Sequence, residues 1–114
     1  MDIEKIREIC LAFPGTSEGI KYGDRLCFMV VNKHFCSSDL QTLSTVNFKV
    51  SDVEFDALCE REGIDPAPYG GTTYKWVKVA FFDALSEEEW NSLLSRAYEL
   101  VKLKLPQKVQ RTLI

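Results

Sequence analysis

Two serine-glutamate capping motifs, each placed directly after a strand-like segment, constrain the fold of this chain most strongly. In residues 51–54 and 86–89 a serine is followed three positions later by a glutamate, a pattern that caps a helix N-terminus through two reciprocal hydrogen bonds. Val50 and Phe55 flank the first motif, and Leu85 and Trp90 flank the second, as a hydrophobic staple requires. A chain that passes twice from strand to capped helix is typical of an α+β protein.

The pattern predicts three main helices. Residues 2–13 form the first, with Asp2 as N-cap and Pro14-Gly15 as its stop. The second runs from the first capping motif to about Glu62 and ends at Gly63. The third begins at the second motif and continues to about Leu105, where proline ends it. Residues 107–114 are a basic tail, for which the sequence allows either a further short helix or an irregular segment.

Strand patterns lie between these helices. Residues 26–31 and 35–40 flank Asn32-Lys33-His34, which predicts a hairpin. Residues 43–50 alternate apolar and polar side chains, as a half-exposed strand does. Residues 16–23 are a loop or a short strand, and residues 64–71 are a loop. Residues 72–82 predict an interior strand, and its two faces carry Val77, Val79 and Phe81 on one side and Tyr74, Trp76 and Lys78 on the other.

We therefore expect one domain over residues 1–114, an α+β sandwich of two layers. Its antiparallel sheet has about five strands with the helices on one face. The order is α-β-β-β-α-β-β-α. A chain of this length is expected to bury roughly 65% of its unfolded surface in a single core.

Composition excludes several classes of protein. The longest apolar run, residues 26–31, is far shorter than the roughly 18 residues of a membrane span, and the charged first residues do not resemble a signal peptide. A cytoplasmic protein is expected. Four cysteines without C-x-x-C spacing, beside a single histidine, predict neither a disulfide framework nor a metal site. No cofactor motif is present either, because Gly70-Gly71 leads into a predicted strand rather than a helix.

Charge is divided unevenly along the chain. The net charge is −3, yet residues 21–50 carry +2, residues 66–82 carry +2 and residues 100–114 carry +4. Helix dipoles account for acidic first turns and a basic last turn, but they do not account for Lys33, Lys75 and Lys78. The alternative to the helix-dipole explanation is that the hairpin and the tail form a basic surface.

Two constellations bear on chemistry. His34 and Cys36 are two apart on a predicted strand and would share a face, the minimum for a nucleophile pair, but no orienting carboxylate is indicated. We therefore do not expect an enzyme. Tyr74 and Trp76, interleaved with Lys75 and Lys78, have the elements of a base-stacking and phosphate-binding surface. Aromatic residues in a strand are also ordinary core residues.

Short motifs along nearly the whole chain resemble the MmcQ/YjbR-like family of small bacterial proteins. They are Pro14-Gly15-Thr16 followed by Glu18, Val30-Val31-Asn32-Lys33-His34-Phe35, Lys49, Pro68-Tyr69, Trp76-Val77, Ala97-Tyr98-Glu99-Leu100-Val101 and Lys104-Leu105-Pro106-Gln107-Lys108. The resemblance implies an antiparallel sheet backed by helices, similar to frataxin-like and secretion-chaperone-like folds. It also implies DNA binding through a double-wing arrangement of β-hairpins.

The same resemblance implies a set of DNA-contacting residues. They are Lys33 and His34 at a hairpin tip, then Lys75, Trp76 and Lys78, with Lys104 and Lys108 in the terminal Leu-Pro motif. The sequence thus favours a non-enzymatic DNA-binding module. The alternative is a protein-interaction module that receives a partner or a second copy of itself on an open sheet face or a strand edge.

Overall fold

The structure is a computed structural model that describes residues 1–113. Within this range the centre of the fold is a six-stranded antiparallel sheet of order β1-β2-β3-β4-β6-β5. In chain order the elements are α1 (Ile3–Leu11), β1 (Thr16–Lys21), β2 (Arg25–Val30), β3 (Lys33–Asp39), β4 (Val46–Lys49), α2 (Asp52–Cys59), β5 (Ile64–Pro66), α3 (Gly71–Tyr74), β6 (Trp76–Val79), α4 (Glu87–Lys102) and α5 (Gln107–Gln110), with 3-10 turns at Phe82–Ala84 and Arg111–Leu113.

The three longer helices lie on one face of the sheet. Helix α4 packs across β2, β3 and β4, α2 packs on β5 and β6, and α1 lies beside α4 over β1 and β2. The core between the layers is built on fully buried large side chains, among them Phe28, Phe48, Val77, Trp90 and Leu94. The expected two-layer α+β sandwich is confirmed.

Both capping boxes form as predicted. Ser51 Oγ accepts from the Glu54 amide at 3.2 Å, and Ser86 Oγ accepts from the Glu89 amide at 3.1 Å. Each glutamate carboxylate in turn accepts from the amide of its serine. The helices behind them end earlier than predicted, because α2 stops at Cys59 and α4 at Lys102.

The sheet has six strands where about five were predicted, and the observed order is α-β-β-β-β-α-β-α-β-α-α. Strand β1, predicted as a loop or a short strand, pairs along its full length with β2. Strand β5 was predicted as a loop, but it pairs with β6. It has only three residues and includes a proline, so it shows no alternation that a sequence pattern can detect.

The predicted long strand over residues 72–82 is wrong at both ends. Gly70, at φ 98°, begins a single helical turn that Tyr74 closes by donating its amide to the Gly70 carbonyl at 2.9 Å. Lys75 then adopts a left-handed φ of 59°, so the strand starts only at Trp76. Phe81 lies beyond its end and is 46% exposed. Tight-turn geometry therefore overrides the β propensity of the Thr-Thr-Tyr segment.

The β2–β3 hairpin is tighter than predicted. Its turn is Val31 and Asn32, at φ 46° and 68°, whereas Lys33 pairs with Val30 and already belongs to β3. Positive φ at both positions is the geometry of a type I′ two-residue hairpin turn. The third predicted strand is also shorter, because only Val46–Lys49 of residues 43–50 is extended.

A β-bulge separates the two residues that the sequence placed on one face. Met29 pairs with His34 and Phe28 pairs with Cys36, which leaves Phe35 as the extra residue. Cys36 is therefore buried against Cys10 of α1 in the helix layer. His34 lies on the opposite, open face, so the expected His-Cys pair does not form.

None of the helices within residues 1–113 is long and apolar enough to span a membrane.

Candidate nucleic-acid interface

The sheet face opposite the helices carries a cleft of about 1010 Å³. Its floor lies where β3 begins with Lys33 and His34, β4 ends with Lys49, and β6 begins with Trp76. The antiparallel register places Lys49 beside Trp76. The rim is formed by the β1–β2 turn, by the segment between β5 and β6, and by the chain that follows α4.

The segment between β5 and β6 is a compact loop that shapes one wall. Ala67 donates to the carbonyl of Trp76 at 2.9 Å, and Gly71 donates to the carbonyl of Ala67 at 3.0 Å. Gly71 is required here, since a Cβ on it would lie 2.9 Å from the Trp76 carbonyl oxygen. Lys49 Nζ donates to the carbonyl of Tyr74 and ties the loop to β4.

Aromatic rings cover much of the cleft. The His34 and Trp76 ring centroids are 4.8 Å apart, and Tyr22 approaches His34 edge-on at 6.2 Å. The three tyrosines of the chain that are exposed all line this cleft, with exposed fractions of 75% for Tyr22, 102% for Tyr69 and 65% for Tyr74. Solvent-facing aromatic rings around one concavity are typical of a binding surface.

Cations surround the rings. Arg25, Lys33, Lys49 and Lys104 line the cleft together with one carboxylate, that of Asp24. Within residues 1–113, none of the four cations lies within 4.0 Å of a carboxylate, whereas Lys5, Arg7, Arg61, Arg96 and Lys102 all form ion pairs elsewhere. The cleft is thus a local basic surface on a protein of net charge −3.

Burial and neighbouring cations lower the pKa of two groups that line the cleft. Burial lowers the pKa of Lys49, and the nearby Lys104 lowers it further. Burial likewise lowers the pKa of His34, with smaller contributions from Lys21 and Arg25. Both groups would be stabilised in their charged forms by an anion in the cleft.

Polar groups lie on the floor between the cations. Arg25 Nη2 donates to Ser37 Oγ at 2.9 Å, and Ser37 pairs with Asn47 across β3 and β4. Asn47 Oδ1 is buried and has no hydrogen-bond donor among residues 1–113. Buried acceptors are nearly always satisfied in folded proteins, so this unpaired oxygen on a residue that lines the cleft stands out.

The structure divides the seven residues predicted to contact DNA. Lys33, His34, Trp76 and Lys104 line the cleft together. The other three lie elsewhere. Lys78 is two residues beyond Trp76 on the same sheet face, Lys75 places its Nζ 4.8 Å from the centre of the Phe55 ring of α2, and Lys108 is exposed on α5.

Most of the other residues that line the cleft were not predicted as site residues. Among them are Tyr22, Arg25, Asn47, Lys49 and Tyr69. The alternation of β4 already placed Asn47 and Lys49 on the face away from the core, but only the strand order brings β4 beside β6. Tyr22 and Tyr69 both lie in loops at positive φ, 57° and 61°, and no periodic pattern identifies them.

This architecture, an open antiparallel sheet covered by helices on one side, defines a class of small two-layer α+β proteins. The chain belongs to the YjbR family, whose model matches residues 11–100.

A solved structure of this architecture is that of a Deinococcus radiodurans protein with a DUF419 domain. It matches with a TM-score of 0.84 at 20% sequence identity, over 98% of this chain and 87% of that chain. At this identity the similarity concerns the fold. A search of curated proteins finds no match at the threshold applied.

Proposed function

We propose that this protein is a non-catalytic DNA-binding module and that the cleft is its contact surface. One observation carries the proposal: four cations without carboxylate partners surround exposed aromatic rings in a single concavity. Cations supply affinity for phosphates, and aromatic faces supply stacking surfaces for bases.

The positions of the cations, rather than the net charge of the protein, support DNA binding. Lys33, Lys49 and Lys104 come from three different segments, so a phosphate chain that crosses the cleft meets several of them. The acidic helices lie on the other side of the sheet, where their ion pairs neutralise local charge. Net charge therefore does not argue against a local phosphate-binding surface.

The contact surface proposed here differs from a pair of hairpin tips. The tip residues are Val31 and Asn32, and Lys33 and His34 project from the first residues of β3 into the cleft region. The hairpin therefore contributes the side chains that directly follow its turn rather than the turn itself.

The environment of the thiol in the cleft supports a non-catalytic role. Burial raises the pKa of Cys27, and burial lowers the pKa of His34. An activated pair needs the opposite shifts, with a thiolate stabilised by an imidazolium.

Fluorescence anisotropy of labelled DNA, both single-stranded and duplex, tests the proposal at about 50 and 200 mM salt. We expect binding that weakens steeply with salt. The double variant Lys33→Glu/Lys104→Glu should abolish it, whereas Lys108→Glu, an exposed lysine outside the cleft, should change the affinity by less than about threefold. Absence of binding at the lower salt, or an equal loss in the control variant, would overturn the proposal.

A protein partner is the second candidate, and the exposed tyrosines favour it, since tyrosine, tryptophan and arginine are enriched in protein interfaces. The three lysines of the cleft favour DNA, because lysine is depleted from such interfaces. Sedimentation that shows a salt-insensitive dimer, together with no DNA affinity, would select the protein partner.

A further inference from the structure

We infer that the cleft accepts an unpaired nucleotide, with its base stacked on the His34-Trp76 surface and its phosphates among the lysines, so that single-stranded DNA binds in preference to duplex. This inference rests on the proposed function and specifies its ligand. A nucleotide within a strand and a free nucleotide share this chemistry, and the experiment separates them.

The first step concerns access. His34 and Trp76 lie on the sheet floor, below a rim formed by Tyr22, Tyr69 and Tyr74. A ring that stacks on this floor must enter the concavity and offer it a free face. Bases in a duplex are stacked on both faces, whereas an unpaired base has a free face and can be splayed away from its neighbours.

The second step concerns size. The cleft volume of about 1010 Å³ lies at the upper end of the ~300–1,000 Å³ range of small-molecule sites. It suits one or two nucleotides and excludes a double helix. Lys33 on the floor and Lys104 on the rim come from different segments of the chain and would meet the phosphates that flank the inserted base.

The third step concerns the base edge. Asn47 Oδ1 is a buried acceptor without a donor among residues 1–113, and the register places Asn47 on the same strand face as Lys49, next to Trp76. The ring imide N–H of thymine or guanine would supply the missing donor. Watson-Crick pairing engages this N–H, so only an unpaired base can offer it.

Quenching of Trp76 fluorescence tests this inference directly. The chain has two tryptophans, and Trp90 is fully buried with its indole N–H bonded to the Phe82 carbonyl. We would titrate the full chain with a thymidine oligonucleotide of 12 residues, with the matched duplex, and with thymidine monophosphate. The single strand should quench and bind at least tenfold more tightly than the duplex, and Trp76→Leu should weaken single-strand binding by about tenfold or more.

Two variants keep the result interpretable. Trp76→Phe retains a stacking ring and should bind within about threefold of the native protein, while thermal unfolding verifies that both Trp76 variants are folded. Quenching by the monophosphate as strong as by the oligonucleotide would still support the cleft chemistry and would identify a free nucleotide as its source.

Different results would overturn this inference and the proposed function. Duplex binding that equals or exceeds single-strand binding, lost in Lys33→Glu/Lys104→Glu but unchanged in Trp76→Leu, overturns this inference and leaves the proposed function standing. Absence of binding by every ligand overturns both.

Discussion

At the scale of single residues, His34 is the clearest case of a side chain whose role depends on one backbone irregularity. The bulge at Phe35 turns His34 onto the open face, where it meets Trp76 and two cations, Lys21 and Arg25. Without that extra residue, regular strand alternation would place His34 on the same sheet face as Cys36. The bulge leaves no signature in the sequence, so this placement was not predictable from spacing alone.

His34 should make DNA binding dependent on pH. Burial, then Lys21 and Arg25, lower its pKa in the free protein, and a bound phosphate raises it, so binding takes up a proton and affinity increases as pH falls from about 7.5 to 5.5. Anisotropy with a thymidine oligonucleotide, which has no group titrating in this range when its terminal phosphates are absent, measures the dependence. A His34→Gln variant should flatten it, and an unchanged slope in that variant would contradict the assignment.

Two glycines at positive φ allow the stability cost of backbone strain to be measured separately from the cost of a close contact. Gly15 and Gly23 have φ values of 73° and 77°, but a Cβ on Gly15 would lie 2.1 Å from Leu113 Cδ2, and one on Gly23 meets nothing within 4 Å. Gly23→Ala should therefore cost only the left-handed penalty of ~1–2 kcal/mol. Gly15→Ala should cost about 1–3 kcal/mol more, because the buried Leu113 must move. Urea unfolding measures both, and equal losses would show that the Leu113 contact is unimportant.

At the scale of elements, local sequence rules succeeded where every determinant lies within a few residues. Both helix N-termini were predicted to the residue, because the capping serine, the glutamate and the staple are contiguous. The rules failed at β5 and at α3, where the segment is too short for a pattern and the conformation follows from Gly70 and from pairing with β6.

The α4 N-terminus should contribute to acid sensitivity. Arg61 donates to the Glu89 carboxylate, and together with the Ser86 amide it lowers the pKa of Glu89 from 4.5 to about 2. Because this pKa is depressed by folding, the stabilisation is present above about pH 4.5 and is lost as pH falls towards 2. Glu89→Gln should flatten the unfolding free energy over that range. Glu88→Gln, a first-turn carboxylate outside this ion pair, should retain the native dependence; identical profiles for the two variants would contradict the role of Glu89.

At the scale of the whole molecule, the two-layer architecture was predictable and the site was only partly so. The order of helices and strand-like runs is enough to place helices on one face of an antiparallel sheet. The cleft, by contrast, joins Arg25, Lys33, Lys49 and Trp76 only through the strand order β2-β3-β4-β6, and Lys104 reaches it from the chain after α4. The sequence predicted DNA contacts for Lys75 and Lys108 as well as for Lys33, because position along the chain does not show which lysines share a surface.

The position of the ligand on the molecule is the central claim, and an ¹⁵N–¹H NMR titration of the native protein with a single-stranded thymidine oligonucleotide tests it most directly. The account predicts that the largest shift changes occur at the Trp76 indole, the Asn47 side-chain amide and the backbone amides of Lys33, Lys49 and Tyr69, all of which line the cleft. The outer face of α4, around Asn91 and Ser95, should stay unperturbed. Changes concentrated on that helix face or along the β1 edge, with the Trp76 indole unmoved, would contradict the account.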